Sequence, residues 1–332
     1  MLPGVVQRKQ QIAAKKEKLL QAKARINALI DYSQQNARNL WSYYKTYFLD
    51  SQKTLLDYLA SKPLELWAGW NEPSWSVWNP GTCNFLESFI RVGEGVEPYL
   101  EIEQCPEVLC KIPILLPFIG SEQTIIIHSQ NGDANGLKLL QSLVFRTALL
   151  FPLQARYTLI DPAGAGRAFP MRKSLLSVKE NCVKDNTGNL YRDLMKVYLD
   201  IQRIIEIYLN TETTSFELLP EDIRANEDFE FIFAANFPIG YQRREIECLY
   251  RIANSGAPAG KYVFIHCSED RTLPEDLSKG IINTIHLGSQ MPVPIPKLLH
   301  LKVNYDIAPS LSLQTELFNK LSQAKFPKKS AS

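Results

Sequence analysis

Residues Thr124 to Phe151 constrain the fold more than any other stretch of this chain. A β-branched run, Thr124-Ile-Ile-Ile-His128, leads through Ser129-Gln-Asn-Gly-Asp-Ala-Asn-Gly136 into an apolar segment from Leu137 to Phe151. β-Branched side chains favour a strand, glycines permit a tight turn, and the apolar segment is long enough for about four helical turns. Strand, glycine-bearing turn and helix in that order have the layout of a phosphate-binding loop. The chemistry of such a loop is absent, because no Gly-Lys-Ser or Gly-Lys-Thr follows. The frame predicts a nucleotide-binding type of α/β domain. Its missing lysine and hydroxyl make loss of hydrolysis the first functional expectation.

Beyond residue 121 strand-like and helix-like runs alternate. Strands are predicted at Thr124 to His128, Tyr157 to Ile160, Phe229 to Ala234, Tyr262 to His266 and near Ile281 to Leu287. Between them Leu137 to Leu150, Asn189 to Leu209 and Arg243 to Ala253 carry apolar residues at three-and-four spacing, the period of a helix face. Alternation of this kind implies βαβ units and a largely parallel sheet covered on both faces. Residues 121–332 are read as this α/β domain. Residues 63–120 differ, with Trp67, Trp70, Trp75 and Trp78 among prolines and glycines, then strand-like pieces at Phe89 to Val92 and Ile112 to Leu116. No basic residue lies among these tryptophans, so packing between the arm that precedes them and the main domain is expected of them; a partner anchor is the alternative.

Residues 1–62 read as one helical arm, since nothing interrupts the helix pattern until Pro63. Val5, Ile12, Leu19 and Ile26 recur every seven residues, but the second apolar position of that heptad holds Lys9, Lys16 and Lys23 before Ile30. That is a poor coiled coil and a better amphipathic helix, packing on its own domain or on a partner subunit. Charge is concentrated here. Arg8, Lys9, Lys15, Lys16, Lys18, Lys23 and Arg25 oppose the single Glu17, giving residues 1–25 a charge of +6 in a chain whose total is +2. A basic arm suits nucleic-acid phosphates as well as a solvated helix face, and those seven residues are the candidate DNA contacts. A smaller cluster, Lys320, Lys325, Lys328 and Lys329, ends in a tail expected to fray.

Some classes are excluded. The most apolar run, Leu137 to Leu153, contains Lys138, Gln141 and Arg146, so no bilayer crossing is expected, and a lysine-rich first helix is unlike a secretory leader. The cytoplasm is the expected location. Six scattered cysteines suggest reduced thiols, and Cys105 with Cys110 lacks a second ligand pair for zinc, so no metal site is expected.

Three further motifs carry a family resemblance. Leu159-Ile-Asp-Pro-Ala-Gly-Ala-Gly166, Phe231-Ile-Phe-Ala-Ala-Asn-Phe-Pro238 and Ser255-Gly-Ala-Pro-Ala-Gly-Lys-Tyr-Val-Phe-Ile-His266, in this order of elements, resemble the FtsK/SpoIIIE (HerA-related) family of DNA-translocase motors over roughly residues 88 to 290. The chain looks most like the degenerate first module of relatives that carry several such modules in tandem. The resemblance implies a RecA-like P-loop NTPase fold with a largely parallel sheet, preceded here by the helical arm. It also implies where the working residues should be. Ile160-Asp161-Pro162 keeps the family's turn, but Ala163 replaces its lysine. At the Walker B strand end, Ala235-Asn236-Phe237 stands where the family has Asp-Glu-Phe. The sensor stretch reads His266-Cys267-Ser268.

These departures have chemical consequences. A P-loop ATPase needs a loop cation for the transferring phosphoryl group, a hydroxyl and a carboxylate for magnesium, and a polar group to orient water. None is at its expected position. Lys138 comes one step late after Gly136, which on a helix turns it by about 100°, so it reads as a surface lysine. Asn236 can hydrogen-bond but is neither a base nor an anionic metal ligand. Asn131, Gly132, Asp133 and Gly136 form a vestigial nucleotide loop, and Ala235 with Asn236 a vestigial Walker B end. Asp133 or Asn135 is expected to cap the helix, although the backbone N–H groups at 131–136 stay compatible with weak ATP binding without hydrolysis. Gly164, Gly166 and Arg167 read as a tight turn or as a phosphate-contacting arginine. His266 and Cys267, adjacent on a strand, should point to opposite faces and make no dyad.

The expectation is a non-catalytic, pseudo-ATPase module with no cofactor, acting as a scaffold or regulatory subunit with an FtsK-like ATPase in trans or by self-association. An active DNA translocase, or a subunit that binds DNA through the basic arm, are the alternatives.

Overall fold

The computed structural model describes residues 3–80, 89–96, 111–120, 124–129, 134–151, 155–178, 183–185, 189–268, 284–288 and 301–324. Internal contacts divide the chain into two units, Met1–Tyr58 and Leu59–Ser332. The first is occupied by one uninterrupted helix, α1 (Pro3–Leu59), as the absence of internal proline or glycine after its first turn predicts.

The second unit contains helices α2 (Leu64–Trp67), α3 (Asn135–Leu150), α4 (Arg172–Val178), α5 (Leu190–Tyr208), α6 (Glu221–Asn226), α7 (Arg243–Ser255) and α8 (Leu311–Gln323). Its strands are β1 (Phe89–Val96), β2 (Lys111–Pro117), β3 (Thr124–Ser129), β4 (Ala155–Ile160), β5 (Val183–Asp185), β6 (Phe229–Phe237), β7 (Lys261–Ser268), β8 (Thr284–Gly288) and β9 (Lys302–Tyr305). Six of these form one sheet in the order β5-β4-β6-β7-β3-β8, and every pairing in it is parallel. The largely parallel sheet expected from the alternating pattern is therefore present. Strand β6 lies at its centre and is buried along nearly its whole length, the condition of a parallel strand covered on both faces. Phe231 and Phe233 of β6 stack with Phe118 and Phe264 at ring separations of 5.6 and 4.6 Å.

A second sheet, β2-β1-β9, is antiparallel and joins the lead-in to the far end of the chain. Gly93 permits the close approach of β9, since any Cβ there would collide with the Asn304 carbonyl. The α/β region is thus not separate from residues 63–120: its last strand completes their sheet.

The tryptophans of the lead-in pack against the domain itself. Trp70 donates to Ser142 Oγ of α3 (2.8 Å), Trp78 donates to Glu65 Oε1 (2.6 Å), and Trp70 stacks on Trp75 at 5.0 Å. Basic partners come from outside the tryptophan segment. Arg146 of α3, fully buried, donates to the Glu65 and Ala68 carbonyls and to Asp306 Oδ2 (2.7 Å), with its guanidinium 4.4 Å from the Trp70 ring centre. Arg91 of β1 forks onto the same Asp306. Burial lowers the Arg146 pKa to about 10 against the pull of Asp306. Burial also works against charge on Asp306, yet Arg146 and Arg91 hold its carboxyl below the usual range. Lys320, part of the basic cluster at the end of the chain, donates to the Trp75 and Ser76 carbonyls, which ties α8 to the lead-in. Lys325, Lys328 and Lys329 lie outside the described residues, as do Cys105 and Cys110. Cys248 and Cys267 are buried and form no disulfide.

Candidate functional site

Ligands of an open parallel sheet bind beyond the carboxyl ends of its strands, where the chain's crossovers diverge. Here that place is the edge around β3 and β7: from β3 the chain crosses to β4 on one side, and from β7 it passes to β8 on the other. The candidate phosphate loop leaves β3 at the same edge.

The first turn of α3 closes tightly onto it. Gly136 has no room for a side chain, since a Cβ there would overlap Ser129 Oγ and lie 3.1 Å from His266 Cδ2 and 3.2 Å from the His128 carbonyl. The N-cap residue is Ala134, which makes no side-chain cap bond, so the helix begins one residue later than an Asp133 cap requires, and Asn135 is its first residue. Asn131, Gly132 and Asp133 lie outside the described residues. Lys138 is exposed on the first turn of α3, its backbone N–H bonded to the Ala134 carbonyl.

Four strand ends are linked in a row. Ser129 Oγ lies 2.9 Å from His266 Nε2. The backbone N–H of Asn236 donates to His266 Nδ1 (3.3 Å). The Asn236 amide Nδ2 then donates to Asp161 Oδ1 (3.1 Å). Asp161 in turn accepts the backbone N–H groups of Gly164 and Ala168, at 3.0 and 2.9 Å, and so shapes the turn after β4. The chain of contacts runs from β3 across β7 and β6 to the end of β4, four neighbouring strands.

Local geometry explains how Asn236 joins this row. Ala234 pairs with Ile265 and Phe237 with Cys267, so Ala235 and Asn236 together face one residue of β7. Such a bulge re-aims a side chain. Asn236 has φ +54, a left-handed conformation that asparagine tolerates better than most residues. Ala235 is fully buried. Gly164 is required beside Asp161, whose carboxylate fills the volume a Cβ would take. Arg167 is exposed and bonds back to the Gly164 carbonyl (3.0 Å), an arrangement internal to the turn.

The His266 bonding pattern decides what it can do. Because Nδ1 accepts an N–H, the neutral ring carries its proton on Nε2 and donates it to Ser129. A general base for a serine needs that nitrogen unprotonated, so Ser129 and His266 are not a hydrolytic pair. Burial, reinforced by His128 and opposed by Asp161, pushes the His266 pKa down to about 4. The ring is neutral at physiological pH. Cys267 turns to the other face, with Sγ 3.4 Å from His128 Nδ1 across the β3–β7 pair, so His266 and Cys267 make no dyad with one another.

A cleft of about 360 Å³ lies farther along the edge, lined by Pro162, Gly240 and the first residues of α5 and α7. Both helix starts facing it are already capped: Asn189 Oδ1 accepts the Arg192 N–H, and Gln242 and Glu245 form a reciprocal capping box. Among the described residues no group of three or more His, Cys, Asp or Glu side chains could hold a metal ion. Among the same residues no helix is long and apolar enough to cross a membrane.

Sequence reasoning singled out Asn236 and the Asp161 turn separately and found neither Ser129 nor the bond that joins Asn236 to Asp161. The available signal was positional. Each of the four residues lies at or within two residues of the end of a predicted strand, and the ends of parallel strands fall side by side.

No protein-family model matches the chain, and neither does any curated protein. Solved structures do match. EssC (ATPases 2 and 3) from Geobacillus thermodenitrificans is similar at 12% identity and a TM-score of 0.52, over 74% of this chain and 50% of that one. The cytoplasmic domain of EssC matches at 11% identity and a TM-score of 0.46, over 71% and 49%. The pCW3 conjugation coupling protein TcpA, in a monomer form with ATPγS, matches at 10% and 0.44, over 63% and 56%. The chain thus spans about half the length of the first two structures it matches. With its six parallel strands and with α3 following β3, the second unit has a RecA-like P-loop fold, as in the EssC structure.

Proposed function

We propose that this chain is a non-catalytic FtsK-like module, a pseudo-ATPase that serves as scaffold or regulatory subunit in a DNA-translocase-type assembly. The observation that carries the reading is the row Ser129–His266–Asn236–Asp161. It occupies the strand ends where an ATPase of this fold presents magnesium and water ligands, and its members are bonded to each other. A buried neutral imidazole, an amide and a carboxylate engaged by two backbone N–H groups offer no cation for a transferring phosphoryl group. Lys138, the lysine closest in sequence to the loop, is exposed on the helix. An active translocase would need its cation and both acids from elsewhere.

The match to half of a chain described as holding ATPases 2 and 3 agrees with one module of a multi-module machine. A module without its own chemistry acts through a neighbour, so the expected partner is an FtsK-like ATPase in trans. No cofactor is required by this reading, and any ATP held at the loop is held without turnover.

Magnesium-dependent phosphate release by the purified chain tests the proposal. The expected result is a rate equal to the buffer blank, unchanged in Asn236→Glu, because one restored carboxylate supplies neither the cation nor the second acid. Hydrolysis above the blank in the unmodified chain overturns it.

A further inference from the structure

Helix α1 presents an apolar seam to solvent in its middle section. Leu19, Ile26, Leu29, Leu40, Tyr43 and Tyr47 are 57 to 74% exposed. Leu19, Ile26, Ser33, Leu40 and Tyr47 follow one another at intervals of seven, and Ala22, Leu29, Asn36 and Tyr43 stand three residues after the first four of them. Those are the two core positions of a heptad over roughly 40 Å of helix. Leu19 and Ile26 are shared with the lysine-interrupted pattern nearer the amino terminus, but the position three residues after each holds Ala22 and Leu29. Between Ile26, Leu29, Ile30 and Ser33 lies a groove of about 300 Å³, which Gln34 also borders. Spacings of three, four and seven residues are those of a hole that receives one side chain from a facing helix.

The geometry points to a second copy of this chain as the occupant, with the two α1 helices paired antiparallel about a twofold axis between Gln34 and Gln35. In that register Leu40 of the second copy faces Leu29 and enters the groove, Ile26 meets Tyr43, and the small Ala22 faces the large Tyr47. Within the span 22–47 the two polar core residues, Ser33 and Asn36, meet each other, so neither is buried against an apolar group, and the seam ends where Leu19 meets Asp50. A parallel pair would instead put Asn36 against Asn36 and Ala22 against Ala22, leaving a gap at the latter.

Charge favours the same orientation. Residues 15–25 carry five basic groups and one acid, a net of +4, and a parallel pair sets +4 against +4. Antiparallel pairing lays that stretch along residues 44–54, where Lys45 and Lys53 against Asp50 leave +1. The seam residues at their observed exposure cover on the order of 700 Å² per copy, close to the roughly 800 Å² per partner of a stable interface. The inference does not depend on whether the α/β unit hydrolyses ATP.

Sedimentation equilibrium of the full chain tests it. The expected result is a dimer whose dissociation constant rises at least about 100-fold in Leu40→Glu and in Leu29→Glu, since each puts two charges into the seam. Leu20→Glu, on the opposite face of α1 and 62% exposed, should leave the dimer unchanged and controls for folding, together with the far-ultraviolet spectrum. Orientation is read from thiol cross-linking above the parent chain's background: Ala22→Cys mixed with Tyr47→Cys should link, while Ala22→Cys alone should not. A chain that is monomeric up to about 0.1 mM, a dimer indifferent to Leu40→Glu, or cross-linking of Ala22→Cys to itself overturns the proposal.

Discussion

At residue 236 one side chain serves both backbone geometry and charge. Its left-handed φ of +54 costs most residues about 1 kcal/mol, and its amide also bonds to the buried Asp161. Asn236→Ala is expected to destabilise the fold by about 2–3 kcal/mol, and Asn236→Gly by about 1 kcal/mol less, in urea melts followed by far-ultraviolet circular dichroism. A larger loss in the glycine variant than in the alanine variant would contradict this account of the backbone. His266 gives the row a pH dependence. Its folded pKa, about 4, lies below the ordinary 6.5, so the unfolded chain binds the proton first as pH falls. The contribution is complete above pH 6.5 and is lost as pH drops from 6.5 toward 4. It amounts to about 3 kcal/mol. His266→Gln should flatten that part of the stability profile, and an equally steep profile in the variant would refute the assignment. Neither residue's role was readable along the chain. Asn236 was visible only as a missing acid, because its bond to Asp161 depends on a bulge that pairing with β7 creates.

Elements that run through a long periodic pattern were legible in the sequence, and those made by distant pairing were not. Helices α3, α5 and α7 and the strands β3, β4, β6 and β7 lie where apolar period and β-branching put them, since each buries a face large enough to impose its own spacing. Strand β9 has only four residues, none of them fully buried, and exists because β1 offers it an edge. Helix α8 was missed although Leu317, Phe318 and Leu321 bury its inner face. The tryptophans read as packing residues in the sequence, but the partners of Trp70, Arg146 and Ser142, lie on α3 far along the chain. That junction yields an element-scale prediction. Arg146→Ala leaves Asp306 buried with only Arg91 and removes two carbonyl partners, a loss of about 3–5 kcal/mol. Trp70 lies under that guanidinium, so its fluorescence should shift as the lead-in loosens from α3. An unchanged emission spectrum together with an unchanged melting temperature would show that the contact is dispensable.

Over the whole molecule, the densest basic charge falls on the helical unit: Lys15, Lys16, Lys18, Lys23 and Arg25 are all exposed on α1. The side chains of Arg8 and Lys9 lie outside the described residues. If these cations touch DNA phosphates, removal of residues 1–25 abolishes binding, and binding by the intact chain weakens steeply with salt, the logarithmic slope being about −0.9 per phosphate contact. Binding that survives the deletion, or ignores salt, assigns the contact elsewhere. The sheet order itself could not be derived from the sequence, because β5 has three residues and the neighbours of each parallel strand are set by crossovers. The row of bonds across four strand ends also limits substitution. Each member satisfies another, so replacing any one by an acid or a lysine strands a buried group. The four residues can therefore be exchanged only as a set, and the row locks the edge of the sheet against piecemeal change.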